Sequence, residues 1–365
     1  MHFAFTEQQD EFRQAVRQVL AKECTTDHLR AAFESPVART ARWATLAALG
    51  VVGLPVPVAH GGLGLGLVDL VPLLEEAGRV GLPEPLLETT ALAAPVLAGL
   101  VASDPGADAA AVLRLESIAA GGTAAAVGAP GPVAAPLAGA DGADLFVLTA
   151  PGADGPEVHV VGSGGVAVSP VPSLDPTRRL GLVRWDPTPE SRVATGAPAA
   201  SIIGRTADRA AVATAAELLG LADRMIGLAA DHARERHQFG KPIGSFQAVK
   251  HLLAGAQVKL EFARPAVYGA AWALDHSDPA VTAVTAVTAT VASRAASRAA
   301  STAKACASDA ATEAARVSLQ VHGAIGYTWE CDLHLFLKRA WALAEAWGSA
   351  ADHRSRVLSS LVESS

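Results

Sequence analysis

The stretch RERHQFGKPIGSFQAVKH, residues 234–251, decides the fold, because it ends one predicted helix and begins another. Its cations lie where a helix C-terminus favours positive charge. Gly240 is predicted to be the C-cap of the first helix, Pro242 to stop that helix, and Ser245 to cap the next one. A helix–turn–helix connection therefore explains the basic residues and the turn residues of this stretch.

Three further side chains of this stretch, Gln238, Phe239 and Gln247, are not needed to end or begin a helix. Together with Arg236 they suit a flat ligand that bears phosphates. A guanidinium pairs with a pyrophosphate, amides pair with the edge of a base, and a phenyl ring lines a base or a ribose. The residue types alone leave both interpretations open, a structural turn or a binding site for such a ligand.

The composition indicates a globular protein with a large core. Of 365 residues, 50% are hydrophobic and 18% are charged, which is not the composition of a disordered chain. The net charge of −7 argues against nucleic acid as the main partner. From this length we expect two or three domains.

Neither the cysteines nor the apolar runs point to a metal site, a disulfide framework or a membrane. Cys24, Cys306 and Cys331 form no C-x-x-C pair. The start, MHFAFTEQQDEFRQAV, does not resemble a signal peptide, and no uninterrupted apolar run reaches the roughly 18 residues of a membrane span. The expected location is therefore cytoplasmic.

Three zones of different composition predict an α+β fold with helical ends around a β-rich middle. We predict an N-terminal helical domain over 1–115, a small middle β-domain over 116–205, and a C-terminal helical domain over 206–365. Strands are predicted where β-prone runs alternate with turns rich in Gly and Pro. These runs are residues 145–148, 158–161 and 182–185.

Helical periodicity and capping signals place the helices of the two ends. Thr6 and Gln9 have the spacing of a capping box at the start of the first helix. Small residues in the last zone allow its long helices to pack closely, as in a bundle. The other predicted helices are 43–49, 68–77 with an end near Gly78, 208–237, 245–275, and 279–321 with the run TAVTAVTAT in its first half.

Three segments, in this order along the chain, resemble the acyl-CoA dehydrogenase family. LGVVGLPVPVAHGGLGLG is similar to its N-terminal helix–loop element, ERHQFGKPIGSFQAVKH to its R-x-x-F-G-x-x-I-x-x-F-Q connection, and LQVHGAIGYTWECDLHLFLKRA to its Q-x-x-G-G-x-G-Y segment. The resemblance spans nearly the whole chain. It implies an N-terminal helical domain, a middle β-domain and a C-terminal four-helix bundle.

The resemblance also implies chemistry, the FAD-dependent oxidation of an acyl-CoA thioester between Cα and Cβ. In the family a carboxylate takes the α-proton, and the β-hydrogen leaves as hydride to the flavin. In family dimers the neighbouring chain holds the ADP half of each FAD. The residues that match this half-site are Arg236, Gln238, Phe239, Gln247, Gln320 and Gly323, and Ala324 stands where the family has a second glycine.

No carboxylate occupies the position of the family's catalytic base. Trp347, in KRAWALAEAWGS, stands where many members have the Glu of Y-E-G-T. Other members place the base on the first helix of the C-terminal domain, where this chain has Ala210. Glu345 is expected on the solvated surface, Asp208 is two residues out of register for that helix face, and Glu217, almost two turns further on, is expected on the surface or facing the bundle. We therefore predict no catalytic residue in this chain.

The flavin-ring side lacks further family features. Residues 120–165 contain neither the T-E-P-x-x-G-S-D loop nor the Trp-containing strand, and Ala351 replaces a Gln.

Some actinobacterial members that act in steroid side-chain breakdown are heterotetramers of two catalytic and two non-catalytic chains. This chain resembles the non-catalytic type, which implies a catalytic acyl-CoA dehydrogenase subunit as its partner and a bulky steroid- or polyketide-like acyl-CoA as substrate.

Two alternatives stay open at this point. The first is a self-sufficient homo-oligomeric dehydrogenase that uses an unrecognised base, such as Asp208 or Glu345. The second is an assembly subunit that has the fold but binds no flavin. These two alternatives differ from the prediction of a non-catalytic subunit in the amount of flavin that each chain carries.

Overall fold

The computed structural model describes residues 4–35, 40–103, 109–128, 135–277 and 286–362. As the sequence predicts, helices dominate both ends of the chain and strands occupy its middle. The helices are α1 Glu7–Glu23, α2 Thr26–Glu34, α3 Ala41–Ala48, α4 Leu67–Val80, α5 Ala94–Ser103 (preceded by a π-helical segment, Leu87–Ala93), α6 Ala109–Ala119, α7 Gly196–Glu235, α8 Gln247–His276, α9 Ala286–His322, α10 Leu333–Glu345 and α11 Ala350–Val362. The strands are β1 Ala125–Val127, β2 Leu145–Gly152, β3 Gly155–Gly162, β4 Ala167–Pro170, β5 Gly181–Arg184, β6 Arg192–Thr195, β7 His237–Gln238 and β8 Lys241–Pro242.

These elements form two compact units. One unit comprises residues 1–30, 71–82 and 211–365, and the other comprises residues 31–70 and 83–210. The three-domain division with boundaries after residues 115 and 205 stays a prediction.

The start of α1 follows from local chemistry and confirms the predicted capping box. The N–H of Gln9 donates to Oγ1 of Thr6 at 3.3 Å, and the N–H of Thr6 donates to Oε1 of Gln9 at 2.8 Å. Two otherwise unpaired backbone donors are thus satisfied within four residues. Val16 and Leu20, one turn apart on α1, are buried, as their helical spacing predicts.

The sequence predicts that helix α4 ends near Gly78, but the helix continues to Val80. Gly81, at φ +66°, follows it in the left-handed conformation that ends helices. Gly78 lies inside this helix, at the point where α7 crosses it. A glycine is needed there because a Cβ would lie 2.0 Å from the carbonyl oxygen of Glu217. Gly220 of α7 meets the α4 backbone in the same way. The two glycines allow direct contact between two helix backbones.

The middle of the chain forms a four-stranded sheet in the order β1-β2-β3-β6 and a two-stranded sheet of β4 and β5. Strand β1 pairs with β2 in parallel, and β2 with β3 and β3 with β6 pair antiparallel. The three predicted strand runs lie in β2, β3 and β5, which confirms them to within one residue. The core of this region includes Phe146, Leu148 and Val161.

The C-terminal helices α7 to α11 form the helical bundle that the family resemblance implies. Helix α7 begins at Gly196 rather than at residue 208. Pro198 lies in its first turn, where a proline removes no helix hydrogen bond, so the Gly- and Pro-rich sequence there is compatible with a helix. The predicted start of α9 at residue 279, with the part of the TAVTAVTAT run before Ala286, lies outside the described residues.

Candidate nucleotide-binding surface

Helix α7 ends at Glu235, and the short β7–β8 hairpin follows it. The two central residues of the turn, Phe239 and Gly240, have φ values of 54° and 76°. Positive φ at both central positions is characteristic of a type I′ turn. The predictions that Gly240 is the C-cap of α7 and that Pro242 stops it are therefore wrong, because the chain leaves the helix earlier and pairs with itself.

Helix α8 begins at Gln247 with Phe246 as its N-cap, so the prediction that Ser245 caps this helix is wrong by one residue. Phe246 cannot satisfy a backbone N–H through its side chain, but its ring has two contacts with the hairpin. The Phe239 ring lies edge-on to it at 6.1 Å between centroids, and Nζ of Lys241 lies 4.4 Å from its centre. Aromatic and cation–π contacts thus hold the hairpin against the start of α8.

The predicted ligand-binding side chains of this connection face solvent. Arg236, Gln238 and Gln247 are exposed, and Phe239 is 91% exposed. In the described ranges no carboxylate forms an ion pair with Arg236. A bulky residue with positive φ costs about 1–3 kcal/mol, and the solvated Phe239 ring gains little from burial. Strain and exposure together are typical of a site whose contacts are completed by a ligand or a partner.

The second predicted segment lies at the end of α9. Gln320 is exposed near the end of this helix, and Gly323 directly follows it with φ +63°. Ala324, which replaces the family's second glycine, does not have a positive φ, so its methyl group causes no backbone strain. The substitution of this glycine is therefore compatible with the local backbone.

Two stacked histidines join these segments. His232, in the last turn of α7, stacks on His322, the last residue of α9, with 4.5 Å between ring centroids and 19° between ring planes. Nδ1 of His322 lies 2.7 Å from the carbonyl oxygen of Ser318. Burial, together with the neighbouring His322 and Arg236, lowers the pKa of His232. The fold thus brings the α7–α8 connection and the end of α9 side by side, and all six predicted cofactor-binding residues lie on these segments.

Beside this surface lie exposed aromatic residues that the sequence did not single out as functional. Tyr327 is 79% exposed and Trp329 is 51% exposed. The Trp329 ring stacks on His334 at 4.3 Å, and Nζ of Lys338 lies 4.9 Å from the centre of the same indole ring. The signal that could have revealed them is the run IGYTWE, which places large apolar residues in a segment too short to bury them.

The loop between α10 and α11, which contains Trp347, is held by a buried lysine. Nζ of Lys304, a side chain with 0% exposure, donates to the carbonyl oxygens of Ala344 at 2.8 Å and Gly348 at 3.0 Å. Trp347 has φ 60°, and its carbonyl oxygen lies 3.0 Å from Nε2 of His353. An indole N–H is only a hydrogen-bond donor, so this side chain cannot accept a proton.

The acidic residues considered as alternative bases lie in different environments. Glu345 is exposed, as predicted. Glu217 is buried, with Oε2 3.7 Å from a guanidinium nitrogen of Arg339, so it faces the bundle. Asp208 and Ala210, near the second family position of the base, are both buried. The absence of a catalytic residue stays a prediction.

The described part of the chain shows no metal centre. No group of three or more His, Cys, Asp or Glu side chains that could hold a metal ion occurs among the described residues. Cys24 is buried, Cys306 is exposed and Cys331 is half-buried, and none of the three forms a disulfide within the described residues. None of the described helices is both long enough and apolar enough to cross a bilayer.

Residues 129–134, within the GAPGPVAAP segment that lacks the family's flavin loop, lie outside the described ranges.

Comparisons with known proteins cover nearly the whole chain. Residues 6–100 match the family model described as "Acyl-CoA dehydrogenase, N-terminal domain", and residues 200–361 match the "Acyl-CoA dehydrogenase, C-terminal domain". The chain is 32% identical, over 360 residues, to the acyl-CoA dehydrogenase IpdE2 of Mycobacterium tuberculosis, and the match covers 98% of each chain.

Solved structures have the same fold. One chain in the crystal structure of the ChsE4–ChsE5 complex from Mycobacterium tuberculosis matches with a TM-score of 0.81 and 25% identity, over 100% of this chain and 99% of that one. A variant of the Tcur3481–Tcur3483 steroid ACAD matches with a TM-score of 0.81 and 24% identity, over 98% of both chains. The second likeness is evidence for the fold alone.

Proposed function

This chain belongs to the acyl-CoA dehydrogenase family, and we propose that it is the non-catalytic subunit of a heteromeric member that desaturates an acyl-CoA thioester. In this proposal it supplies the ADP-binding half of an FAD site to a catalytic partner chain. One observation carries the proposal, the combination of an exposed Arg236 that forms no ion pair in the described ranges with Trp347 at the position of the base.

The side chains of the α7–α8 connection fit the ADP part of FAD. The exposed guanidinium of Arg236 presents a planar fork that suits a pyrophosphate. Nε2 of Gln238 donates to the carbonyl oxygen of His237 at 2.8 Å, which orients the amide, and Gln247 offers a second amide. Gly323 leaves the backbone at the end of α9 open to a ligand. When bound, FAD supplies the acceptor for the hydride that leaves Cβ of the substrate.

A partner chain on this surface is supported by its exposed aromatic residues. Phe239 and Tyr327 are among the most exposed large apolar side chains of the described residues. Aromatic residues of this kind are enriched where protein interfaces have their strongest contacts. The solved relative that contains ChsE4 and ChsE5 is itself a complex of two different proteins.

The assignment of catalysis to the partner is supported by the chemistry around Trp347. A positioned general base contributes about 10²–10⁴-fold to the rate of proton abstraction, and an indole cannot take this role. The ammonium group of Lys304 lies under the same loop, bonded to the carbonyl oxygen of Gly348. This side chain holds the loop through its hydrogen bonds to the carbonyl oxygens of Ala344 and Gly348.

We extend the proposal to the substrate class and the location. The proposed substrate is a bulky, steroid- or polyketide-like acyl-CoA, as the resemblance of the sequence to the non-catalytic chains of steroid side-chain breakdown implies. The proposed assembly contains two chains of each kind. The cytoplasmic location predicted from the sequence belongs to the same proposal.

The stoichiometry of FAD tests the proposal. The chain is co-expressed with a candidate catalytic acyl-CoA dehydrogenase, the complex is purified, and FAD is counted against both polypeptides by absorbance. We expect one FAD for every two polypeptides and no dehydrogenase activity from this chain alone. One FAD for each polypeptide, or an isolated chain that is yellow and active, would show a self-sufficient dehydrogenase instead. A colourless complex would show an assembly subunit without flavin.

A matched pair of arginine variants then tests the site itself. We expect Arg236→Ala to lower the affinity of the complex for FAD by about 10- to 100-fold, because a charge-assisted hydrogen bond contributes about 1.5–3 kcal/mol. Arg234 is a suitable control, since it is also exposed but pairs with Asp231 at 2.5 Å. Arg234→Ala should retain FAD. Equal FAD loss in both variants would indicate a general effect on the hairpin rather than a contact with the cofactor.

A further inference from the structure

A small cavity of about 100 Å³ lies between helices α9 and α11, in a part of the bundle that the proposed function does not use. Its lining is unusual because it contains only arginine and serine. The α9 residues recur at intervals of three and four, which places them on one face of that helix, and the two α11 residues are four apart. The lining residues are Arg294, Ser297, Arg298, Ser301, Arg356 and Ser360.

The three arginines converge on this cavity without a carboxylate among the lining residues. Within the described ranges, the guanidinium groups of Arg294 and Arg298 form no ion pair or hydrogen bond. Nη2 of Arg356 donates to Oγ of Ser297 at 3.1 Å, which turns this guanidinium towards α9. Three positive side chains that line one cavity favour an anion between them.

Ser301 provides a second, independent observation. This residue lines the cavity and is 1% exposed, yet its hydroxyl has no hydrogen-bond partner among the residues that the structure describes. Buried hydroxyl groups are nearly always hydrogen-bonded, because an unpaired one loses its bonds to water without compensation. An acceptor inside the cavity would satisfy this hydroxyl.

We propose that this cavity binds a phosphate group. Guanidinium forks and serine hydroxyls are donors, and a phosphate offers acceptor oxygens with the opposite charge. The cavity has room for one phosphate, because about 100 Å³ exceeds the roughly 10–15 Å³ that a single water needs, but it is smaller than the roughly 300–1,000 Å³ of sites for larger ligands. The ligand is therefore inorganic phosphate, or the terminal phosphate of a larger molecule whose remainder stays outside the cavity. The site shares no residue with the proposed FAD half-site.

The test measures binding of inorganic phosphate to the full-length chain by equilibrium dialysis, and thermal unfolding in phosphate against sodium chloride of equal ionic strength. We expect one phosphate per chain and a rise in the melting temperature that chloride does not produce. The double variant Arg294→Gln/Arg298→Gln should weaken binding at least about ten-fold, as expected for lost charge-assisted bonds. Arg316→Gln is the matched control, because Arg316 lies on the same helix but pairs with Glu313 at 2.8 Å, and it should bind phosphate like the unchanged protein.

Ser301→Ala gives a second readout, since it removes the buried hydroxyl with little change of volume. It should weaken phosphate binding and leave the melting temperature in chloride unchanged or raised.

Coenzyme A and 3′-dephospho-coenzyme A distinguish the sources of the phosphate. If coenzyme A binds more tightly than the dephospho form only while Arg294 and Arg298 are present, the ligand is the phosphate of a larger molecule. If inorganic phosphate binds as tightly as coenzyme A, it is the free ion. Absence of phosphate binding, or equal binding by the double variant, overturns the proposal.

Discussion

The crossing of α4 and α7 gives the sharpest prediction, because one substitution at two positions of the same helix should have opposite effects on stability. A Cβ at Gly220 would lie 1.8 Å from the carbonyl oxygen of Glu75 and 2.5 Å from the backbone nitrogen of Arg79. Both contacts are to helical backbone, so Gly220→Ala forces the two helices apart by roughly 1 Å. At Gly227, seven residues further along α7, nothing lies within 4 Å of the added methyl group.

The magnitudes follow from these contacts. Overpacking of this kind costs about 1–3 kcal/mol, and more where backbone must move, whereas alanine in a helix is better than glycine by about 0.5–1 kcal/mol. Gly220→Ala should therefore lower the free energy of unfolding by about 2–3 kcal/mol. Gly227→Ala should raise it by about 0.5–1 kcal/mol.

The assay is urea unfolding of each full-length variant, followed by far-ultraviolet circular dichroism. Unchanged slopes of the transition are required, so that shifts in the midpoint report on stability. If Gly220→Ala were as stable as the unchanged protein, the direct contact between the α4 and α7 backbones would be refuted. Equal effects of the two substitutions would show that helix propensity alone decides both.

Two further predictions concern the proposed site. Lys304→Met leaves the carbonyl oxygens of the buried Ala344 and the half-buried Gly348 without this donor, so we expect urea unfolding to show a free energy of unfolding that is lower by about 2–4 kcal/mol. A decrease below about 0.5 kcal/mol would contradict this role. The pKa of His232 is lowered by burial and by its charged neighbours, so the folded state favours the neutral ring. The stability that results is fully present above the ordinary histidine pKa. It is lost as the pH falls below that value. His232→Asn should therefore lose less melting temperature than the unchanged protein between about pH 7.5 and 5.5; an identical pH dependence would show that the stack with His322 is not responsible.

Local signals predicted well those parts of the chain whose partners lie within a few residues. The capping box of Thr6 and Gln9 is one example, since all its atoms come from one turn. The strands around Phe146 are another, because β-prone runs between turn residues need no distant information to form a hairpin. The six candidate cofactor residues were identified through the family resemblance, and their role stays a prediction.

The errors arose where a residue serves a distant contact. The sequence pattern predicts a helix end near Gly78, but the missing side chain of this residue admits the backbone of Glu217, which is far away in sequence. The sequence pattern predicts a helix cap at Gly240, but this residue forms a hairpin turn with Phe239, whose positive φ no sequence rule would favour. A glycine signals that a side chain would be unfavourable without telling whether the reason is local or tertiary.

The sequence by itself determined the order of helices and strands, the family, and the residue types at the proposed FAD half-site and at the position of the missing base. These depend on short-range periodicity and on motifs. Only the tertiary structure decided that His232 and His322 stack to join two ends of the bundle, that Lys304 holds the Trp347 loop, and that Arg294, Arg298 and Arg356 line one cavity. The physical reason is that helix packing sets the distances between residues remote in sequence, and the chemistry of a site depends on those distances.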